Sequence, residues 1–221
     1  MFTLRFDMRA PAFGAPATDL YAAAIDMSAW AERHGGVAAV LCEHHGSEDG
    51  YLPAPLILGA AIAARTERLA LSLVVIVAFH DPVRLAEDMA LLDVISRGRA
   101  TYVLGLGYRP EEFEHFGLDA AQRGRLADDK VGLLRQLLTG RPMSHHGRHI
   151  VVSPPPRTPG GPVLMWGGAS LAAARRAGRY GLGLLANGSV AGMQEAYDEA
   201  CRKHGHQPVG TLLPQPDTPM V

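Results

Sequence analysis

Residues 68–117 read RLALSLVVIVAFHDPVRLAEDMALLDVISRGRATYVLGLGYRPEEFEHFG, and the rest of the chain is organised around them. The run from Leu69 to Phe79 is apolar almost throughout. It is too short to cross a bilayer and is rich in the Val, Ile and Leu of a strand covered on both faces. A turn at His80-Asp81-Pro82 leads into a helix that places Leu85, Met89 and Leu92 on one face and Arg84, Glu87 and Asp88 toward solvent; Gly98 ends it. A second apolar run, Ala100 to Leu106, breaks at Gly105-Leu106-Gly107, where missing side chains let a ligand approach the backbone. Together these make one parallel strand, helix, strand unit.

The same alternation continues on both sides. Phe2 to Phe6 alternates as a first strand, and Thr18 or Asp19 is placed to cap a helix whose stripe Leu20, Ala24, Met27 and Ala31 stops at Gly35-Gly36. Val37 to Cys42 is a second strand that ends in Glu43-His44-His45; a loop to Pro55 and an Ala-rich helix, Leu56 to Arg65, follow. Beyond Gly117 a helix from about Ala127 carries Val131, Leu134 and Leu138 on one face. Residues 141–161 are rich in Pro, His and Gly without periodicity, the pattern of a functional loop. Pro162 to Trp166 and Gly181 to Ala186 are two more strands, separated by the turn Gly167-Gly168-Ala169-Ser170 and a helix from Leu171 to Arg179; Met193, Tyr197 and Ala200 mark a further helix.

Bulk properties narrow the function classes. The formal net charge is -1 across 221 residues, and the basic side chains are scattered, so neither nucleic acid nor an anionic membrane is indicated. A small-molecule partner is expected. Cys42 and Cys201 lie far apart and make no disulfide framework, and no basic segment followed by an apolar run opens the chain, which points to the cytoplasm.

Several residues invite a chemical reading. His44 alone is either a hydrogen-bonded strand-end histidine or a proton carrier that titrates near neutrality. Gly167 to Ser170 open a helix, so Gly167, Gly168, Ala169 and Ser170 form either a simple turn with an N-cap or a phosphate cradle. Gly105 and Gly107 are a lone Gly-x-Gly, weak by itself. His145, His146 and His149 suggest a metal, but Pro142 and Gly147 argue against the helix that would gather them, and no metal is expected. Cys42, at an apolar strand end, reads as an inert thiol.

Asp81-Pro82-Val83-Arg84, Ala86-Glu87-Asp88, Leu91-Leu92-Asp93, Ser96-Arg97-Gly98-Arg99 and Tyr108-Arg109-Pro110-Glu111-Glu112-Phe113 together resemble the bacterial luciferase-like flavin monooxygenases, and the resemblance runs from near residue 1 to about Pro208. It implies a TIM-type (β/α)8 barrel, one domain over residues 1–221. About six strands are recognisable where a closed barrel has eight. The C-terminal strands 7 and 8 are expected to be missing, with Thr218 to Val221 as the opening of a seventh, and a fragment is favoured over a natural short form.

The resemblance also implies a chemistry. Reduced FMN made by a separate flavin reductase binds at the strand C-termini and, with O2, oxygenates a small organic substrate in an enzyme expected to be a homodimer. His44, in the matching motif Glu43-His44-His45, assists proton transfer beside the flavin, with Glu43 orienting an imidazole or pairing with an arginine and His45 in support. The cofactor phosphate is expected near Gly167 to Ser170. A non-prolyl cis peptide is expected at Leu73-Val74 beside the flavin. Gly105 and Leu106 replace a reactive cysteine and a phosphate-binding arginine of the light-emitting enzymes, so light emission is not expected. Arg109 either substitutes for that arginine or pairs with Glu111 or Glu112. Two alternatives stay open: deazaflavin F420 with hydride transfer on the same fold, and a flavin-binding protein without catalysis.

Overall fold

The computed structural model describes residues 1–213. Two compact units divide it, one built from residues 1–101 and 106–162, the other from 102–105 and the stretch from 163 onward, so the strand Ala100–Gly105 contributes to both.

The first unit runs β1 (Phe2–Phe6), α1 (Ala17–Arg33), β2 (Gly36–Cys42), α2 (Pro55–Arg65), β3 (Ala70–Ile76), α3 (Pro82–Ile95) and the start of β4 (Ala100–Gly105). It continues with α4 (Pro110–His115), α5 (Arg123–Leu137) and a hairpin of β5 (Met143–His145) and β6 (Arg148–Ile150). Strand order is β1-β2-β3-β4, with β1, β2 and β3 parallel. The register pairs Ala39 with Leu71 and Leu41 with Leu73, and these four side chains are fully buried on one face. Helix α2 lies close over that face: a Cβ at Gly59 would stand only 2.8 Å from Leu73 Cδ2, so the missing side chain lets the helix settle on the strand.

Asp81 caps α3 by accepting from Val83 N and Arg84 N at 2.9 and 3.0 Å, and Pro82 fills the first helical position. Leu85, Met89 and Leu92 are buried as their spacing predicts, while Arg84 pairs with Asp88 at 2.8 Å in solvent. At the opposite strand ends two side chains hold the backbone. The Arg99 guanidinium donates to the carbonyls of Ala63, Thr66, Leu69 and Ser96 and to Thr66 Oγ1. Glu32, from the end of α1, accepts from the N–H groups of Glu67, Arg68 and Leu69 just before β3.

The second unit holds the rest of β4, then β7 (Val163–Gly167), α6 (Leu171–Tyr180), β8 (Gly183–Leu185), α7 (Met193–Lys203) and β9 (Thr211–Leu212), in the strand order β4-β7-β8-β9. β7, β8 and β9 are parallel. Here α6 crosses α7 at Gly178, where a Cβ would meet Tyr197 O at 2.6 Å. The buried Tyr197 hydroxyl donates to Leu182 O and accepts from Val209 N, tying α7 to the residues just before β8 and just before β9.

The parallel α/β architecture expected from the sequence is present, with differences in detail. β3 stops at Ile76 rather than Phe79, and Val77–Phe79 form a 3-10 turn, because Glu43 takes the Ile76 N–H at 2.6 Å and Lys130 Nζ takes Ala78 O. In α1, Ser28 and not Met27 completes the buried stripe: Ser28 Oγ returns to Ala24 O, while Met27 is 49% exposed. That helix opens at Ala17 behind Pro16, without a side-chain cap from Thr18 or Asp19. The expected loop at 141–161 contains the β5–β6 hairpin, turned at His146 and Gly147, both at positive φ. A seventh strand is found at Thr211–Leu212; the stretch Thr218 to Val221 lies outside the described residues.

Candidate active site

The chain leaves β2 at Glu43-His44-His45, held by Glu43 N to Val74 O and His44 N to Leu52 O, both at 3.1 Å. Glu43 is 2% exposed. Its Oε2 accepts from Ile76 N at 2.6 Å, and its Oε1 lies 2.8 Å from both His45 Nε2 and His80 Nε2. Burial pushes this carboxyl upward, but the hydrogen bonds from His45, His80 and Ile76 outweigh it and hold the group below the usual carboxylate range. An ionised carboxylate only accepts, so both imidazoles carry their proton on Nε2.

A second buried carboxylate serves His44. Glu112, 1% exposed on α4, places Oε1 at 2.8 Å from His44 Nδ1 and 2.9 Å from His45 N, with Arg109 Nη1 at 3.6 Å. Its Oε2 is buried and, among the described residues, finds no hydrogen-bond partner. The carboxylate therefore fixes the proton on Nδ1 and leaves Nε2 with its lone pair. Tyr51 and Tyr108 each meet the imidazole edge-on at ring separations of 4.7 and 5.4 Å, with the Tyr108 hydroxyl 3.4 Å from Nε2. Beside them, Phe79 stacks on Phe116 at 4.5 Å, and His45 meets both rings edge-on.

Of the two roles expected for Glu43, it takes the orienting one, for two imidazoles rather than one. Arg109 is engaged by Glu111 Oε1 at 2.9 Å and Ser47 Oγ at 3.1 Å, the ion-pair alternative. Gly107 sits at φ +75°, where a Cβ would crowd Ile76 Cγ2 and the Phe113 ring at 3.0 and 3.1 Å. The Leu73-Val74 bond is not cis: the cis bond found among the described residues is Ser153-Pro154. Leu73 points under α2, and Val74 lies on the opposite face. Burial raises the Cys42 thiol out of the reactive range, although nearby Arg5 pulls it down. His145 and His146 form an edge contact at 4.1 Å, and no group of metal-ligating side chains occurs among the described residues.

In the second unit Gly105 closes β4, and Ser170 caps α6, its Oγ accepting from Ala173 N at 3.1 Å. Gly168 lies at φ +154°, and a Cβ there would strike Ala173 Cβ at 2.9 Å, so only glycine lets the turn pack this closely on the first turn of α6. Gly167 and Gly168 are half-buried, and Ala169 and Ser170 are exposed. The N–H groups of Leu171 and Ala172 belong to the four that a helix start leaves to outside partners, which suits a phosphate.

Glu112 and His80 were missed as site residues by reading the sequence. His80 carried a usable signal, since it directly follows a strand-like apolar run, as the triplet Glu43-His44-His45 does. Glu112 carried little: beside Glu111 and Arg109 it reads as an ordinary surface ion pair.

The sequence profile described as luciferase-like monooxygenase matches residues 5–213. The alkanal monooxygenase alpha chain of Photorhabdus luminescens is 28% identical over 177 residues, which cover 75% of this chain and 49% of that protein. A solved oxygenating constituent of 3,6-diketocamphane monooxygenase from Pseudomonas putida, in complex with FMN, superposes with a TM-score of 0.77 at 20% identity, over 93% of this chain and 63% of that one. An F420-dependent secondary alcohol dehydrogenase in complex with an F420-acetone adduct superposes at 0.73 and 17% identity, over 93% and 65%. The chain thus spans about half of the curated relative and under two thirds of these two structures. The profile takes in β2 with its Glu43-His44-His45 end and every later element described, and on that extent the chain belongs to the luciferase-like monooxygenase family, a family of oxidoreductases.

Proposed function

We propose that this chain carries out flavin-dependent monooxygenation, using reduced FMN and O2 on a small organic substrate, with His44 as its proton-handling residue. The observation that carries the reading is the His44–Glu112 pair at 2.8 Å, which holds the imidazole with Nε2 free for exchange. Reduced flavin, when bound, supplies the electrons that activate oxygen. The chain supplies the rest. Nε2 accepts a proton from a reacting group and returns it, while the buried Glu112 carboxylate stabilises the imidazolium formed in between, a role worth about 10² to 10⁴ in rate. Glu43 fixes His45 and His80 beside it and anchors the end of β3, and Phe79 and Phe116 supply apolar surface. Gly107 and Val74 are proposed as backbone or wall contacts to the ring; separately, in the second unit, the turn Gly167–Ser170 is proposed as a phosphate contact.

No segment of the chain reads as a nicotinamide site, so a flavin reductase is the proposed source of reduced cofactor. The two free cysteines, both buried, suit the cytoplasm. Exposed Ile57, Leu91, Val94 and Ile95 on α2 and α3 support a homodimer. Oxygen uptake with reduced FMN tests the reading: His44→Ala should reduce substrate-linked uptake at least about 100-fold. No substrate-linked uptake by the natural chain would leave a flavin-binding protein without catalysis, and uptake unchanged by the substitution would remove His44 from the chemistry. The fold shared with the F420-dependent dehydrogenase favours a second reading, hydride transfer with F420. Absorbance titration separates the two, and tight F420 binding without FMN binding would end the monooxygenase reading.

A further inference from the structure

Tyr108 is 74% exposed, yet its hydroxyl stands 3.4 Å from the one nitrogen of His44 that Glu112 leaves open. The phenolic O–H donates to Nε2, and the oxygen's remaining side faces water. Local geometry holds it there. Gly107 at φ +75° makes the turn between β4 and α4, packed against Ile76 and Phe113, so the next residue is delivered over the imidazole. Tyr51 closes another side edge-on, and only 15% of the His44 side chain is exposed. The Tyr108 hydroxyl thus links Nε2 to a side chain that is open to water.

We infer that Tyr108 is a positioning residue for His44 that relays its proton to solvent. When His44 has taken a proton, the Nε2–H bond breaks toward the Tyr108 oxygen while the phenol's own O–H proton passes to water. The imidazole is neutral again, the tyrosine is still a phenol, one proton has left and no electron has moved. His44 Nε2 is then ready to accept again, with Glu112 still holding Nδ1–H. The inference rests on the acid–base reading of His44 and is independent of which cofactor is bound.

Tyr108→Phe removes the oxygen and keeps the covering ring. In the cofactor-free chain, at a pH acidic enough to protonate His44, exchange of the Nε2 proton with water is followed by NMR. Exchange slower by about tenfold is expected, below the 10² to 10⁴ contributed by a residue that itself transfers the proton. An unchanged or faster rate would mean that Tyr108 only covers the imidazole, and would overturn the relay. With reduced FMN, the same variant should lose turnover at unchanged KM and regain it when imidazole is added; a loss that imidazole does not restore would overturn it as well. A chain that shows no turnover with FMN refutes the proposed function, while the exchange measurement still decides the relay.

Discussion

Replacing Glu43 by Gln tests the buried carboxylate at the end of β2. The amide oxygen can keep the Ile76 N–H, but the amide nitrogen then faces His45 Nε2 and His80 Nε2, and both imidazoles must move their proton to Nδ1 to accept from it. Three charge-assisted hydrogen bonds become neutral ones. Each loses about 1 kcal/mol, from roughly 1.5–3 to roughly 0.5–1.5. The sum of about 3 kcal/mol is partly offset by relief of carboxylate desolvation, leaving about 1–3 kcal/mol net. For a chain of this size, that lowers Tm by about 2–12 °C.

The pH dependence is more specific. The folded-state pKa of Glu43 lies below the ordinary 4.5, so its contribution is fully present above that value and is lost as pH falls through the folded value. Thermal melts from pH 7 down to pH 3 should therefore show an acid limb in the natural chain that is smaller in Glu43→Gln, and 15N spectra should show inverted tautomers at His45 and His80. An unchanged Tm together with an unchanged acid limb would refute the account of Glu43 as an ionised anchor.

Two other substitutions follow from the same geometry. Gly107→Ala puts a side chain at φ +75° and 3.0 Å from Ile76 Cγ2; left-handed backbone at about 1–2 kcal/mol and overpacking at about 1–3 kcal/mol predict a loss of about 2–5 kcal/mol in urea denaturation. Ser170→Ala removes the cap on Ala173 N and should cost about 1 kcal/mol, with weaker FMN binding in a fluorescence titration if the turn contacts phosphate, whereas Ser170→Gly should cost only a few tenths.

The sequence made the repeating architecture legible because each repeat has its own local signal. The stripe Leu85, Met89 and Leu92 and the Asp81-Pro82 start determine α3 within its own residues, and the run before His80 marks a strand whatever its neighbours do. What escaped depends on residues distant in sequence. β3 ends early because Glu43 and Lys130, from other elements, take up its last N–H and a carbonyl of the following turn. The hairpin at His146-Gly147 lacks the Asn-Gly or Asp-Gly pair that usually announces such a turn. His44 was identifiable from its motif, but its partner is 68 positions away, and no local pattern separates Glu112, which is buried, from Glu111, which is exposed.

The Glu32 carboxylate, which gathers three successive N–H groups ahead of β3, joins α1 to a strand that is not its sequence neighbour. If α1 lifted away, those donors would lose their acceptor at the moment the helix exposed Ala24 and Ala31. Detachment is then penalised twice, and α1, β2 and β3 should open together as one foldon, with amides at residues 67–69 exchanging at the same rate as those in the middle of β2.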